Sequence, residues 1–139
     1  MKRNGKRWIT AALLLVAILG ACWYLLYEAR PLRTLDAGEI REIRVRAVPP
    51  DREAILSGAE VGAMLPLLRE LKVTSPGYRM PPASGQTVFV TVRKNDGSMI
   101  EITNVGNMQL VINGKRYRTE YDSVDAMDQF VNRVLETGF

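Results

Sequence analysis

The chain has 139 residues, 47% of them apolar, and a net charge of +4. This length allows one domain beyond an N-terminal segment and is too short for two. His is absent and the single cysteine is Cys22, which excludes Ser-His-Asp and Cys-His catalysis, zinc or copper sites built on these residues, and an intramolecular disulfide.

The positive charge is concentrated at the N-terminus, where four cations precede the first apolar run: Lys2, Arg3, Lys6 and Arg7. From residue 31 onward, 14 Lys and Arg are balanced by 14 Asp and Glu. A neutral domain lacks the broad positive field that is typical of nucleic-acid-binding proteins. We therefore expect no nucleic-acid partner and interpret the basic N-terminus as a topology signal.

Residues 8–27 form a run of 20 residues without a charge. A helix of this length covers roughly 30 Å, the hydrocarbon thickness of a bilayer. The run begins at Trp8 and ends with Trp23, Tyr24 and Tyr27, and such aromatic side chains favour membrane interfaces. Because the four cations precede it, the positive-inside rule places the N-terminus in the cytoplasm. The prediction is a single-pass signal anchor in the cell membrane with a cytoplasmic basic segment (1–7), a membrane anchor (8–27), a tether (28–38) and an extracytoplasmic domain (39–139).

Two alternatives concern the same run. A cleaved secretory signal would end at small residues such as those in 17–21. A lipoprotein signal would use the tetrapeptide at 19–22, which resembles a lipobox in which Cys22 is diacylated. The apolar continuation through 23–27 favours the uncleaved span over both, and all three interpretations give an extracytoplasmic domain.

The first part of the domain reads as a strand followed by a helix. Alternating apolar residues predict a half-buried strand over 42–48, ended by Pro49, Pro50 and Asp51, with a brief extended segment at 52–56. Ser57 and Glu60 have capping-box spacing before a helix, and Pro66 predicts a kink in it or two short pieces. The predicted apolar face of this helix is Val61, Met64, Leu65, Leu68 and Leu71.

Residues 72–86 contain several turn and breaker residues and predict a long loop. Loops of this length in a compact domain are often functional. Tyr78, Arg79 and Met80 are candidate exposed anchors there, and the alternative is a solvated excursion with Tyr78 against the edge of the core.

Four strands with short turns follow, at 87–93, 99–103, 108–112 and 115–119, and predict an antiparallel meander. Asp96-Gly97 and Asn113-Gly114 are hairpin turn signals. Asp122 or Ser123 caps a final helix with an apolar face of Val124, Met127, Phe130, Val131, Val134 and Leu135. We interpret Asp125 and Asp128 as acidic residues near its N-terminus, where the helix dipole favours negatively charged side chains.

The order β-α-β-β-β-β-α predicts an α+β fold: an antiparallel sheet of about five strands with both helices on one face. The other face would be partly polar. Its predicted members are Thr87, Phe89, Thr91, Arg93, Glu101 and Thr103.

The candidate binding residues are arginines on the predicted strands. If the strands are neighbours, these side chains form a basic stripe on the open sheet face, suited to anionic headgroups, a wall polymer or an acidic protein. The alternative is that interspersed Asp and Glu neutralise them. The stripe comprises Arg44, Arg46, Arg93, Arg116 and Arg118.

Catalytic and cofactor motifs are not found in the sequence. Carboxylate pairs such as Glu53 with Glu60, or Glu120 with Asp122 and Asp125, are better interpreted as helix caps and solvated faces. We therefore expect no catalytic residue, no metal site and no cofactor. The leading hypothesis is a non-enzymatic binding or accessory domain for a membrane protein or an envelope polymer. The alternative is a carboxylate-only envelope hydrolase, which requires a concave pocket with two facing carboxylates and a shifted pKa.

The layout resembles uncharacterised, membrane-tethered extracytoplasmic domain families of Gram-positive bacteria. The resemblance is carried by the basic-then-apolar N-terminus, the amphipathic helix, the strand at 85–90, the hairpin at 112–117 and the terminal helix. It implies an extracytoplasmic location and an α+β fold, and these families have no established activity to transfer.

Overall fold

The computed structural model describes residues 2–26, 28–79 and 85–137. It is an N-terminal apolar helix followed by an α+β domain, as predicted. The helices are α1 (Lys2–Leu26), α2 (Gly58–Arg69) and α3 (Tyr121–Thr137), and a short 3-10 turn lies at Ala37–Glu39. The strands are β1 (Ile40–Val48), β2 (Arg52–Ile55), β3 (Val73–Thr74), β4 (Thr87–Lys94), β5 (Met99–Val105), β6 (Gln109–Ile112) and β7 (Lys115–Thr119).

The sheet has seven strands in the order β2-β1-β4-β5-β6-β7-β3, and every neighbouring pair is antiparallel. The predicted number of about five is therefore too low. Strand β2 was predicted only as an extended segment, and β3 lies within the predicted 72–86 loop. A two-residue strand such as β3 is too short to show a period of two, so the pattern could not reveal it.

One face of the sheet forms the core together with α2 and α3. On β1, the alternating residues Ile43, Val45 and Ala47 are at most 1% exposed. The register aligns them with Val92, Val90 and Val88 of β4, which are equally buried. Both helices contribute buried apolar side chains to the same cluster, which confirms their predicted position on one face.

Helix α2 begins with the predicted capping box. The backbone N–H of Glu60 donates to Ser57 Oγ at 3.3 Å, and the Ser57 N–H donates to Glu60 Oε1 at 2.9 Å. The helix continues through Pro66 to Arg69, so the prediction of two short pieces is wrong. Pro66 lies in the last turn of α2, and the helical hydrogen bonding continues past it, since the Glu70 N–H donates to the Pro66 carbonyl at 3.1 Å.

The meander turns use residues that accept a left-handed backbone. Asn113 and Gly114 have φ of 50° and 82°, as a two-residue type I′ hairpin requires. Gly106 and Asn107, between β5 and β6, both have φ of 58°. The Asn113-Gly114 signal is confirmed, and Gly97 of the predicted Asp96-Gly97 turn has a φ of 89°.

The segment predicted as a tether, 28–38, is packed onto the domain. Leu32 and Leu35 belong to the core, with 5% and 4% of their surfaces exposed. Ala29 and Val73 exchange two backbone hydrogen bonds, of 3.0 and 2.8 Å, which extends the sheet edge beyond β3. Arg69 Nε donates to the Leu35 carbonyl at 2.7 Å. The folded domain therefore begins at about residue 28 and not at residue 39.

Helix α1 contains a stretch, Asn4–Leu26, that is long and apolar enough to cross a membrane by length and composition. Its mean hydropathy is 2.4, and its side chains are exposed throughout this stretch. Such a helix also fits a signal sequence. Only residues 27 and 28 lie between its last residue and Ala29 on the sheet edge.

Candidate functional site

The sheet face opposite the core carries the polar residues that were predicted for it from the sequence. Cross-strand register forms a row on this face from β1 to β7: Arg46, Phe89, Thr103, Val111 and Arg116. The two arginines at its ends are exposed, and the three residues between them are half-buried. We refer to this surface as the open face.

The arginines on the β1 side of the open face are neutralised. Arg46 makes two hydrogen bonds, of 2.9 and 3.1 Å, to the carboxylate of Asp51. This contact lowers the pKa of Asp51 below its ordinary value. Arg44 Nη1 lies 3.1 Å from Glu53 Oε1. These pairs agree with the alternative hypothesis that acidic neighbours cancel the basic stripe.

Arg93 on β4 belongs to the same neutralised group. Its guanidinium lies 4.0 Å from Glu42, and Arg44 approaches the same carboxyl at 3.9 Å. The register pairs Glu42 directly with Arg93 across β1 and β4, which brings these charges together.

Arg116 and Arg118 on β7, here called the β7 arginines, differ from the other three. Within residues 2–26, 28–79 and 85–137, no carboxylate lies within ion-pair distance of either guanidinium. Arg118 instead lies over the ring of Tyr78, 5.9 Å from its centre. The Tyr78 carbonyl accepts from Gln109 Nε2 at 3.3 Å, so this part of the predicted loop is fixed on the open face.

The predicted stripe is thus divided into two groups. Four strand spacings separate β1 from β7, which corresponds to about 19 Å at about 4.8 Å per strand. The neutralised arginines lie on β1 and β4, whereas the β7 arginines make no ion pair with the described residues, although Glu120 and Asp122 line the same surface depression as Arg118. The β7 side is also the side on which the chain enters from α1, because Ala29 pairs next to β3.

A polar cleft beside α3 is a second candidate, and sequence reasoning missed it. It encloses about 360 Å³ between α3, the β5–β6 turn and the residues before β4. Gln86 and Asn132 exchange two side-chain hydrogen bonds of 2.9 Å across it. Its lining consists of Gly85, Gln86, Gly106, Asn107, Asp125, Asp128, Gln129 and Asn132.

Asn104 and Asp128 form the buried part of this network. Asn104 is fully buried on the core face of β5, and its Nδ2 donates to Asp128 Oδ2 at 2.7 Å and to Asn107 Oδ1 at 2.8 Å. The other oxygens of the pair, Asn104 Oδ1 and Asp128 Oδ1, are buried and have no hydrogen-bond partner among the residues that the structure describes. Burial raises the pKa of Asp128 to about 6, against the lowering effect of the Asn104 hydrogen bond, and the Asp125 charge raises it slightly further.

The interpretation of Asp128 as an N-terminal dipole residue is corrected by this contact. Asp128 lies two turns into α3, which begins at Tyr121, and its side chain faces β5. A detectable signal was the polar Asn104 at an inward position of a strand, after the inward residues Ile100 and Ile102. Its partner is 24 residues away and could not be identified from spacing.

The cleft meets only part of the requirement for a carboxylate hydrolase. Asp125 and Asp128 both line it, and the pKa of Asp128 is raised. However, Asp128 Oδ1 is shielded from solvent and Oδ2 accepts from Asn104, so neither oxygen is presented to a substrate. Asp125 Oδ2 accepts from Gln129 at 2.8 Å.

Glu120 and Asp122, a carboxylate pair named in the sequence analysis, line one surface depression together with Arg118, whereas Asp125 lines the cleft beside α3. Glu53 contacts Arg44, Glu60 closes the capping box, and Glu120 lies 3.7 Å from Lys72. A surface depression of about 710 Å³ beside β1 and α2 contains one carboxylate, Glu42, which contacts Arg44 and Arg93. Among the residues that the structure describes, no group of three or more acidic, His or Cys side chains could hold a metal ion.

No protein-family model, curated protein or solved structure matches this chain.

Proposed function

We propose that this protein is a single-pass membrane protein whose extracytoplasmic domain is a non-enzymatic binding or accessory module held directly against the bilayer. The observation that carries the proposal is the two-residue connection between the apolar helix α1 and Ala29, which is hydrogen-bonded into the sheet edge. The four cations before the apolar run support this orientation.

The short connection leaves the domain almost no freedom to move away from the membrane. Three residue steps separate Leu26 from Ala29, and each step spans at most about 3.6 Å, so Ala29 lies within about 11 Å of the end of the helix. The headgroup layer on each side of a bilayer is itself about 5–7 Å thick. The β3 edge of the sheet is therefore held beside the headgroups.

This geometry brings the β7 arginines close to the membrane. Strand β7 lies two strand spacings, about 10 Å, from Ala29, whereas β4 and β1 lie about 24 and 29 Å away. Cations without a counter-ion next to a bilayer attract anionic lipid headgroups by roughly 1 kcal/mol each. We propose these headgroups as the ligand of the β7 arginines.

The remainder of the open face stays available to a second partner. Its centre carries half-buried apolar side chains, among them Phe89, Val105 and Val111, and its β1 side carries neutral ion pairs. A surface of this composition suits a membrane protein or an envelope polymer better than a nucleic acid.

Membrane fractionation of the full chain tests the anchor. The protein should remain in the membrane after high-salt and alkaline washing, and Cys22→Ser should stay there at full length. Loss of an acyl mass shift in Cys22→Ser would show instead that the protein is a lipoprotein. Release of the wild-type protein by alkaline washing would refute the membrane anchor itself.

Headgroup binding is tested with the full chain in nanodiscs of neutral or anionic lipid. Lipids carrying a paramagnetic headgroup should broaden the backbone amide signals of the β7 arginines more strongly in anionic discs. Raising the salt from about 0.15 M to about 1 M should reverse the difference, because the screening length falls from about 8 to 3 Å.

A matched pair of double variants separates the two groups of arginines. Arg116→Gln with Arg118→Gln should abolish the extra broadening in anionic discs, whereas Arg44→Gln with Arg93→Gln should leave it unchanged. Neither pair should alter thermal stability much, because exposed charges contribute little. Equal broadening in neutral and anionic discs, or an equal loss in both variants, would refute headgroup binding while leaving the anchor result intact.

A further inference from the structure

Asn104 and Asp128 are hydrogen-bonded to each other, and each carries one buried oxygen atom that has no hydrogen-bond partner among the described residues. Asn104 Nδ2 already donates to Asp128 Oδ2 at 2.7 Å. The second oxygen of each group, Asn104 Oδ1 and Asp128 Oδ1, has no donor and almost no access to solvent. Both atoms are acceptors when the carboxyl is ionised, so they cannot satisfy each other in that state.

A carboxylic acid and a primary amide can join through two hydrogen bonds at once. The amide N–H donates to the carbonyl oxygen of the acid, and the acid O–H donates to the amide oxygen. The first of these bonds is present here, and the two unsatisfied atoms are the ones that the second bond would join.

We propose that Asn104 and Asp128 form a proton-binding site, in which Asp128 Oδ1 takes up one proton from solvent and donates it to Asn104 Oδ1. No covalent bond other than this O–H is formed or broken. The uptake neutralises the carboxylate and satisfies both orphaned oxygens. This site is independent of the proposed membrane function and uses none of the residues assigned to it.

The surroundings of Asp128 favour its protonated form. Burial raises its pKa to about 6, and the nearby charged group that acts on it, Asp125 one turn earlier on α3, is also an anion. The neighbours from the other elements, Asn104 of β5, Asn107 of the β5–β6 turn and Gln86 before β4, are uncharged amides. No Lys or Arg within the described ranges forms an ion pair with Asp128 that would hold it ionised.

The bound proton would connect three elements. Asp128 lies on α3 and Asn104 on β5, and the Asn104 amide also donates to Asn107 in the β5–β6 turn. Release of the proton leaves a buried anion beside an unsatisfied carbonyl oxygen, which weakens the attachment of α3 at this point. The domain is therefore expected to hold this side of α3 more firmly in mildly acidic surroundings than at neutral pH.

Carboxyl NMR of the full chain in detergent micelles tests the site directly. The side-chain carboxyl carbon of Asp128 in protein labelled with ¹³C-aspartate should titrate with a pKa of about 6, well above the ordinary aspartate value of 3.8, and the Asn104 side-chain amide signals should follow the same curve. A pKa at or below about 4 for Asp128 would overturn the proposal.

Variants of both aspartates provide a second measurement. Asp128→Asn places an amide N–H where the protonated oxygen would be, so its unfolding equilibrium constant should not change between pH 4.5 and 7.5. In the wild type the same constant should rise about fivefold to thirtyfold over this range, and the control Asp125→Asn should retain most of that change. Identical pH dependence in wild type and Asp128→Asn would show that Asp128 takes up no proton in this range and would overturn the proposal.

Discussion

Replacing Leu35 by alanine measures how strongly the segment between the anchor and β1 is packed onto the domain. Leu35 is 4% exposed and belongs to the core cluster. The substitution removes about three buried carbon groups at about 0.8 kcal/mol each, and it leaves a cavity that adds a further cost. The hydrogen bond from Arg69 is retained, because it is accepted by the Leu35 backbone carbonyl. We expect a loss of about 3 kcal/mol in the free energy of unfolding.

Thermal unfolding of the full chain in micelles, followed by circular dichroism, measures this loss. For a domain of this size, about 3 kcal/mol corresponds to a Tm lower by about 12–15 °C. Thr34→Ala is the matched control, since its side chain is exposed one residue earlier, and it should change the Tm by less than about 3 °C. If Leu35→Ala behaves like Thr34→Ala, residues 28–38 are only a linker and the packing argument fails.

Two further predictions concern pH and the start of α2. The pKa of Asp128 is raised in the folded state to about 6 from an ordinary 3.8, so the folded state binds the proton more tightly than the unfolded state. The contribution of Asp128 to stability is therefore fully present below about pH 4 and is lost as the pH rises through about 6. Two units correspond to at most about 3 kcal/mol, which partial exposure of the carboxyl reduces to about 1–2 kcal/mol, and urea unfolding at pH 4.5 and 7.5 should show this difference. Ser57→Ala removes the acceptor for the Glu60 N–H and should lower the free energy of unfolding by about 1 kcal/mol in the same assay, whereas Ser57→Asp should restore the cap. An unchanged urea midpoint in Ser57→Ala would contradict the capping box.

The parts of the fold that the sequence predicts well are those with a local repeating signal. The alternation of Ile43, Val45 and Ala47 identifies both the strand and its buried face, because side chains on a strand alternate between the two sides of the sheet. Asn113-Gly114 identifies its hairpin because both residues accept a positive φ. These signals need no knowledge of distant contacts.

The features that were missed depend on contacts between distant parts of the chain. Leu32 and Leu35 show no extended periodicity, and only the position of α2 and Arg69 reveals that they are covered. Likewise, the Asn104–Asp128 contact depends on how α3 lies across the sheet. Neither the residue types nor their spacing specifies that arrangement.

The candidate basic stripe was predicted in part. Sequence alternation placed the arginines on the outward side of their strands, and the structure agrees. Which of them are neutralised depends on strand register, since the register brings Glu42 opposite Arg93 and Glu53 opposite Arg46. A one-residue shift would have moved these carboxylates to the other face.

The pairing of Ala29 with Val73 also affects how the sheet ends. Without Ala29, strand β3 would present unpaired N–H and C=O groups to other chains, which is a common route to strand addition and aggregation. Ala29 covers this edge of the two-residue β3, and at the opposite edge the four-residue β2 is short and carries Arg52 and Glu53. A proteolytic cut after Ala29 would therefore do more than separate the domain from α1, because it would detach the outermost residue from β3 and leave β3 as the exposed edge of the sheet.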